Sequence, residues 1–362
     1  MSLSSLTLEK SESIPTSMEG LCGIFCTRLR RKTNKRKTAA SIIDSDDRTH
    51  EGVRTVDTGN CCEFSGHSDV CLCIVTWNMN GQVSSEDINK LVGKNRKLDL
   101  LVIGLQEVPR ENIAQLLKNV LADTHILLGE AIMQSLQLFV FGPKHSQQFV
   151  RGIKVDKQPV GGLGGLIGRK KGAVAIRIKY KGIQMLFVSC HLAAHVGNVE
   201  ERNDQFRHIS RSIFSKDWNP NATPAQLTVW LGDFNYRLEG INTFPARDLI
   251  HENLHELLTS KDQLLQEAER GQIFNGFREG TLSFKPTYKY NIGSSNYDTS
   301  YKVRVPAWTD RILFKIGDHD HIRATLHCYD SMDTISSSDH KPVKAHICLS
   351  VNRQSSHPRM EQ

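Results

Sequence analysis

The sequence predicts an α/β domain with two β-sheets packed together and helices outside, and three observations carry that expectation. Short β-branched and aliphatic runs recur along most of the chain, each bounded by Gly, Pro, Asn or charge, as strands are. Between them lie stretches whose apolar residues share one helical face. The alternation extends over about 285 residues without an internal repeat, which favours one layered domain over an array.

The elements follow in order. Residues 1–66 are rich in Ser, Thr and charge with little periodicity, and are expected to be a disordered tail. Within them, Leu21-Cys22-Gly23-Ile24-Phe25-Cys26 precedes a basic run containing Arg28, Arg30, Arg31, Lys32, Lys35, Arg36 and Lys37. That segment admits a palmitoylated, polybasic membrane tether, a nuclear address, or a solvated tail. From residue 67 to 352 the runs read as strands at Val70 to Thr76, Leu98 to Leu105, Leu136 to Phe141, Ala173 to Tyr180, Ile183 to Ser189, Leu227 to Leu231, Arg311 to Ile316 and Val343 to Leu349. Helical faces are formed by Ile113, Leu116, Leu117 and Val120, and by Phe206, Ile209 and Ile213. Leu249, Leu254, Leu257 and Leu258 form a third apolar group. Residues 353–362 read as a second disordered tail.

Composition excludes several classes. No run approaches the roughly 18 consecutive apolar residues that a membrane-spanning helix needs. The N-terminus lacks a basic segment followed by an apolar core, and Ser2 stands where myristoylation needs Gly, so a cytoplasmic protein is expected. Nine scattered cysteines without a Cys-x-x-Cys pair suggest neither a zinc ribbon nor a disulfide framework. The net charge is +7, and residues 1–66 carry ten Lys/Arg against nine Asp/Glu, so most of the excess belongs to the folded part. A basic globular domain favours anionic partners.

The chemistry gathers at strand ends. Expected strands run into Thr76-Trp77-Asn78-Met79-Asn80-Gly81, Gly104-Leu105-Gln106-Glu107, Ser189-Cys190-His191-Leu192-Ala193-Ala194-His195 and Gly232-Asp233-Phe234-Asn235-Tyr236. The last strand is preceded by Ser337-Ser338-Asp339-His340-Lys341-Pro342. Strand ends of layered α/β folds converge on one rim, where clefts form. Any one of these residues alone would pass as a structural cap; five such endings of carboxylates, carboxamides and imidazoles together would not. Magnesium takes oxygen ligands, and Glu107 with Asn78 fits it, whereas zinc calls for more His and Cys. The surplus of Asp and His is what attack by water on a phosphate requires.

These strings resemble the inositol polyphosphate 5-phosphatase family, whose fold is the deoxyribonuclease-I-like four-layer sandwich shared with nucleases and abasic-site endonucleases. The resemblance runs from about residue 70 to 350, and its most specific strings are Pro306-Ala307-Trp308-Thr309-Asp310-Arg311-Ile312-Leu313 and Ser338-Asp339-His340-Lys341-Pro342-Val343, while the first of these together with Leu231-Gly232-Asp233-Phe234-Asn235-Tyr236-Arg237 is close to diagnostic of the family. The compact layout is similar to short, single-domain members, including plant ones. The resemblance implies that Asn78 and Glu107 hold Mg²⁺, that Asp233 is the base for the attacking water, and that Asn235 orients water and phosphate. It implies that His191 and His340 bind phosphoryl oxygens, that Asp310 fixes His340, and that Asp339 sits beside the metal and water. Tyr288, Lys289, Lys302 and Arg304 would grip a neighbouring 4-phosphate, Arg311 would join them, and His195 would approach the scissile phosphate.

The Gly-rich stretch Val160 to Gly172 fits neither a dinucleotide fingerprint nor a P-loop. Leu163, Leu166 and Ile167 followed by Arg169, Lys170 and Lys171 suit a loop that dips into an anionic membrane, or one folded on the core. Lys171 matches the family's Gly-Asn-Lys-Gly string, while Lys170 replaces its Asn. The function implied is Mg²⁺-dependent removal of the 5-phosphate from phosphoinositides such as phosphatidylinositol 4,5-bisphosphate. The 3,4,5-trisphosphate and soluble inositol polyphosphates remain as further substrates. The protein is expected to be a monomer with peripheral contact to anionic membranes and no nucleic-acid partner. The rival readings are a Mg²⁺-dependent nuclease of the same fold and an inactive phosphoinositide-binding module.

Overall fold

In the computed structural model the described residues are 52–59, 70–93, 98–160, 171–217, 224–317 and 321–351. They form two mixed sheets. The seven-stranded sheet runs in the order β1 (Val53–Val56), β10 (Phe277–Gly280), β11 (Asp310–Ile316), β9 (Leu227–Asp233), β8 (Ile183–His191), β7 (Lys171–Tyr180) and β6 (Val150–Val160). The six-stranded sheet runs in the order β12 (Ile322–Ser331), β13 (Val343–Val351), β2 (Val70–Asn78), β3 (Leu100–Gln106), β5 (Leu136–Pro143) and β4 (His125–Met133).

The twofold side-chain period of a strand explains the layering, because central strands buried on both faces feed two cores at once. Along β2, Val70, Leu72 and Ile74 face the opposite sheet, while Val75 and Trp77 face outward. Along β7, Val174, Ile176 and Ile178 join that central core, while Ala173 and Ala175 face the other way. The outer side of the six-stranded sheet is covered by α1 (Ser85–Val92) and α2 (Ile113–Leu121), through Ile88, Leu91, Ile113 and Leu117. The seven-stranded sheet is covered by α3 (Val199–Ser212) and α5 (Gln263–Glu269), through Phe206, Ile209, Leu264 and Ala268. α4 (Thr243–His251) adds Ala246 and Ile250 to the central core. The result is the four-layer sandwich expected from the sequence.

Side-chain caps start three of these helices. Ser84 Oγ accepts from the Asp87 amide at 3.0 Å, Asn112 Oδ1 from Gln115 at 3.1 Å, and Asp262 Oδ1 from Leu265 at 3.1 Å. All eight expected strands are present. One boundary is corrected: Val53–Val56, assigned to the tail, pairs in parallel with β10, from Val53 opposite Phe277 to Val56 opposite Gly280. Val53 and Val56 pack on apolar clusters, which fixes this short edge strand. The Cys22/Cys26 segment with its basic run, the Gly-rich residues 161–170, and residues 353–362 lie outside the described residues.

Candidate active site

Strand direction and register bring the polar residues together at one rim. β2 and β3 run parallel with Asn78 opposite Gln106, and β8 and β9 run parallel with His191 opposite Asp233. β11 is antiparallel to β9, so its first residue, Asp310, lies opposite Asp233. β13 is antiparallel to β2, so Val343 pairs with Thr76 and the preceding Asp339 and His340 reach the same rim. β7 starts there too, with Gly172 opposite His191 and Lys171 beside it. Four residues of this rim turn through the left-handed region: Asn80 at φ +48°, Glu107 at +49°, His195 at +75° and Asn235 at +59°. Such conformations are uncommon outside Gly and concentrate at functional sites.

A cavity of about 130 Å³ is lined by Asn78, Glu107, Lys171, His191, Asp233, Asn235, Tyr288, Asp339 and His340, all singled out from sequence, together with Asn80, Ala194 and Arg237. Asp233 is its hub. Its Oδ2 accepts from Asn78 Nδ2 at 2.9 Å and lies 3.2 Å from His191 Nε2, and its Oδ1 accepts from the Asn235 amide at 3.0 Å. Burial opposes its charge, yet the hydrogen bond from His191 and the charges of His191, His340 and Lys171 hold the carboxyl well below the usual range. Lys171 Nζ contacts His191 Nε2. Burial and that ammonium lower the His191 pKa against the pull of Asp233 and Glu107.

His340 is the opposite case. Its Nδ1 lies 2.9 Å from Asp310 Oδ2, which also accepts from Thr287 and Thr309 hydroxyls at 2.8 Å each. Burial alone would lower the imidazole's pKa, but Asp310, Asp233 and Asp339 outweigh it and raise the value to about 9. A charged imidazolium thus faces the cavity, backed by a carboxylate that solvent does not reach. The ring packs on Tyr288 with centroids 4.5 Å apart. Ser338 Oγ donates to the Asn78 carbonyl at 2.7 Å and accepts from the His340 amide at 3.1 Å, locking two strand ends together.

A second cavity of about 470 Å³ adjoins the first and shares Ala194, Arg237 and Tyr288 with it. Besides Tyr288 it contains three more of the expected residues, His195, Lys302 and Arg304. The loop carrying Lys302 and Arg304 is pinned by Asp298, whose carboxylate accepts from the Ser300 amide at 2.9 Å and the Arg304 amide at 3.0 Å. Lys289, also expected there, lines neither cavity and pairs with Asp339 of the first at 3.2 Å.

Arg311, expected among the substrate-binding cations, is a correction. Its side chain is fully buried, with Nε and Nη2 on the two oxygens of Glu279 at 2.7 and 2.6 Å and Nη1 on Asp262 at 2.9 Å. Two carboxylates already fill its guanidinium, so it serves the fold. Sequence reasoning also passed over Arg237, whose guanidinium donates to Asn235 Oδ1 at 2.5 Å and sits 4.2 Å from the Tyr288 ring centroid. The signal was its place in the same string as Asp233 and Asn235.

The donor chemistry suits a hard divalent cation. Asn78, Glu107 and Asp339 offer oxygen to one cavity, and no cysteine lines it. The Asn78 amide is oriented by its neighbours, with Nδ2 on Asp233 and Oδ1 accepting from the Asn80 amide at 3.0 Å.

Known proteins resemble this chain in sequence and in fold. Residues 75–346 match Endonuclease/Exonuclease/phosphatase family 2. The chain is 56% identical over 329 residues to type IV inositol polyphosphate 5-phosphatase 11 of Arabidopsis thaliana, covering 91% of this chain and 96% of that protein. It is 33% identical over 309 residues to phosphatidylinositol 4,5-bisphosphate 5-phosphatase A of Mus musculus, covering 77% of this chain but 30% of that longer protein. Among solved structures, the inositol polyphosphate 5-phosphatase domain of spsynaptojanin, in complex with inositol (1,4)-bisphosphate and calcium, aligns with a TM-score of 0.67 at 28% identity. That alignment covers 80% of this chain and 88% of the solved one. Cimex nitrophorin, at 21% identity and a TM-score of 0.62, shares the fold. The chain therefore belongs to Endonuclease/Exonuclease/phosphatase family 2 and, within it, to the inositol polyphosphate 5-phosphatases.

Proposed function

We propose that this protein is a Mg²⁺-dependent phosphatase that removes the 5-phosphate of phosphoinositides such as phosphatidylinositol 4,5-bisphosphate. The observation that carries this reading is the pair of adjoining cavities, one built for hydrolysis and the other cationic, joined through Arg237 and Tyr288. A substrate with two neighbouring phosphates fits that pair: the 5-phosphate beside Asp233 and the 4-phosphate beside Lys289, Lys302 and Arg304. Dianionic phosphate gains from several charged donors at once. The solved relative's complex with inositol (1,4)-bisphosphate supports the same class of ligand.

In this mechanism Asp233, kept ionised, takes the proton of the attacking water, and Asn235 orients that water. His340, kept protonated by Asp310, donates to a phosphoryl oxygen, and Lys171 and His191 supply further donors as charge develops. Asn78 and Glu107 would hold the metal, with Asp339 beside it. A bound Mg²⁺ supplies Lewis-acid polarisation of the phosphoryl group and stabilises the departing inositol oxygen. Among the described residues no helix is long and apolar enough to cross a membrane. In this reading lipid substrate is reached by peripheral contact with an anionic surface, which the basic balance of the chain favours, and the enzyme acts as a cytoplasmic monomer.

The test is phosphate release from phosphatidylinositol 4,5-bisphosphate micelles with Mg²⁺ or with EDTA, identifying the lipid product. Mg²⁺-dependent appearance of the 4-monophosphate is expected. No release from the lipid or from soluble inositol trisphosphate would overturn the assignment.

A further inference from the structure

The far rim of the six-stranded sheet carries a different chemistry. Cys71 stands near the start of β2, seven residues before Asn78, which at about 3.3 Å per residue places it roughly 23 Å from the catalytic rim. In the β2–β13 register Cys71 lies directly opposite Cys348, and Cys73 lies opposite His346. On the other side of β13, Cys328 of β12 lies opposite His346. His346 and Cys348 are two residues apart, so their side chains share a face. The ligand atoms of Cys71, His346 and Cys348 all lie within 4.8 Å of one another, and Cys348 Sγ is 3.5 Å from His346 Nε2. Cys71 and Cys348 are buried, at 6% and 2% exposure, while His346 is part-exposed and leaves a path inward.

We propose that Cys71, His346 and Cys348 bind a thiophilic divalent cation, of which zinc is the model, at a site separate from the catalytic metal. Zinc takes bonds of about 2.3 Å to sulfur and about 2.0 Å to nitrogen, so tetrahedral ligands stand roughly 3.5–4 Å apart. The observed separations need only a small side-chain adjustment to reach that. The donor set of two sulfurs and one imidazole is soft, opposite in kind to the all-oxygen set of the active site, so the two sites select different ions. Binding converts both thiols to thiolates and releases their protons to solvent, with no change of oxidation state. The ion ties the last strand of the domain to its first central strand, so its occupancy stabilises the fold rather than entering the reaction.

Cobalt(II) added to reduced, metal-free, full-length protein reads the site, because thiolate coordination gives a near-ultraviolet charge-transfer band and tetrahedral geometry gives strong visible bands. The expected result is a stoichiometric spectrum that zinc displaces and that survives replacement of Cys22, Cys26, Cys61 and Cys62 by Ser. Cys348→Ser should abolish the charge-transfer band. His346→Ala should weaken zinc binding by more than the roughly 10–100-fold typical of outer-shell losses. Mg²⁺-dependent turnover should be unchanged in both variants. In the unaltered protein, zinc should also slow thiol modification of Cys71 and Cys348, located by peptide mapping, and raise Tm. A spectrum absent from the unaltered protein, or one lost with the four tail cysteines and indifferent to Cys348→Ser, overturns the proposal. So does formation of a Cys71–Cys348 disulfide under mild oxidant when the reduced protein takes up no metal.

Discussion

Asp233 is buried and still ionised, because each neighbour that touches it is a donor or a cation. Replacement by Asn keeps the size but removes the proton acceptor, and its NH₂ group sets a donor where a carboxylate oxygen accepted from Asn78, His191 or the Asn235 amide. Turnover of Asp233→Asn is expected to fall by about 10²–10⁴-fold, the usual scale for a general base, with KM little changed. Steady-state kinetics at saturating Mg²⁺ check this, and a variant retaining half the activity would exclude Asp233 as base. His340 supplies the pH dependence. Its folded pKa, raised to about 9, keeps it protonated through neutrality, so activity that needs the imidazolium is lost as pH rises through about 9. The same sign holds for stability: the contribution is fully present below the unfolded value of about 6.5 and disappears as pH passes about 9. Asp310→Asn removes the principal charge holding His340 up and leaves burial, which lowers it. The alkaline limb of the pH–rate profile should therefore move to lower pH, and an unmoved limb would mean that another group governs it. Asn78, Glu107, Asp233 and His340 were legible in the sequence because each ends or precedes a recognisable strand. Arg237 was not, because its role depends on stacking against Tyr288, 51 positions away in the chain.

At the scale of elements, legibility followed burial. The central strands, apolar on both faces, announced themselves, whereas β4, β6 and β12 carry exposed or half-exposed residues through most of their length. β10, Phe-Arg-Glu-Gly, is too short and too charged to signal a strand; its Arg278 and Glu279 are buried in spite of that. α1 was missed because its first turn is all polar and its buried face rests on Asp87, Ile88, Leu91 and Val92. The catalytic rim depends on how closely two such elements approach. Gly232, the residue before Asp233, has φ +149°, and a Cβ there would lie 2.0 Å from the Cys190 carbonyl oxygen. Gly232→Ala must push β9 away from β8 where Asp233 faces His191. Stability should drop by at least about 2 kcal/mol in denaturant titrations, and the folded fraction should lose turnover with the Asp233–His191 contact. Unchanged stability and rate would show that the two strands tolerate separation.

At the scale of the whole molecule, the charge that the sequence assigned to the substrate is divided between cleft and core. Lys302 and Arg304 line the cationic cavity, whereas Arg311 lies at the centre of a buried network that joins β11, β10, the start of α5 and, through the Tyr329 hydroxyl on Glu279 at 2.7 Å, β12 of the other sheet. The local string could not distinguish these fates, because both Asp262 and Glu279 are more than thirty positions from Arg311 and meet it only when the sandwich closes. Removing the guanidinium leaves two carboxylates buried beside an apolar core. The cost of breaking a buried pair in this way is about 3–5 kcal/mol, most of it the penalty of the uncompensated charge. Arg311→Ala should therefore lower the denaturation midpoint steeply. Arg311→Lys, which keeps the charge but loses the two-pronged contact with Glu279, should lower it less. In the folded fraction of the lysine variant, KM for a substrate bearing the 4-phosphate should match that of the parent, while Arg304→Glu should raise it. A raised KM in Arg311→Lys at unaltered stability would return Arg311 to the cleft and contradict the network.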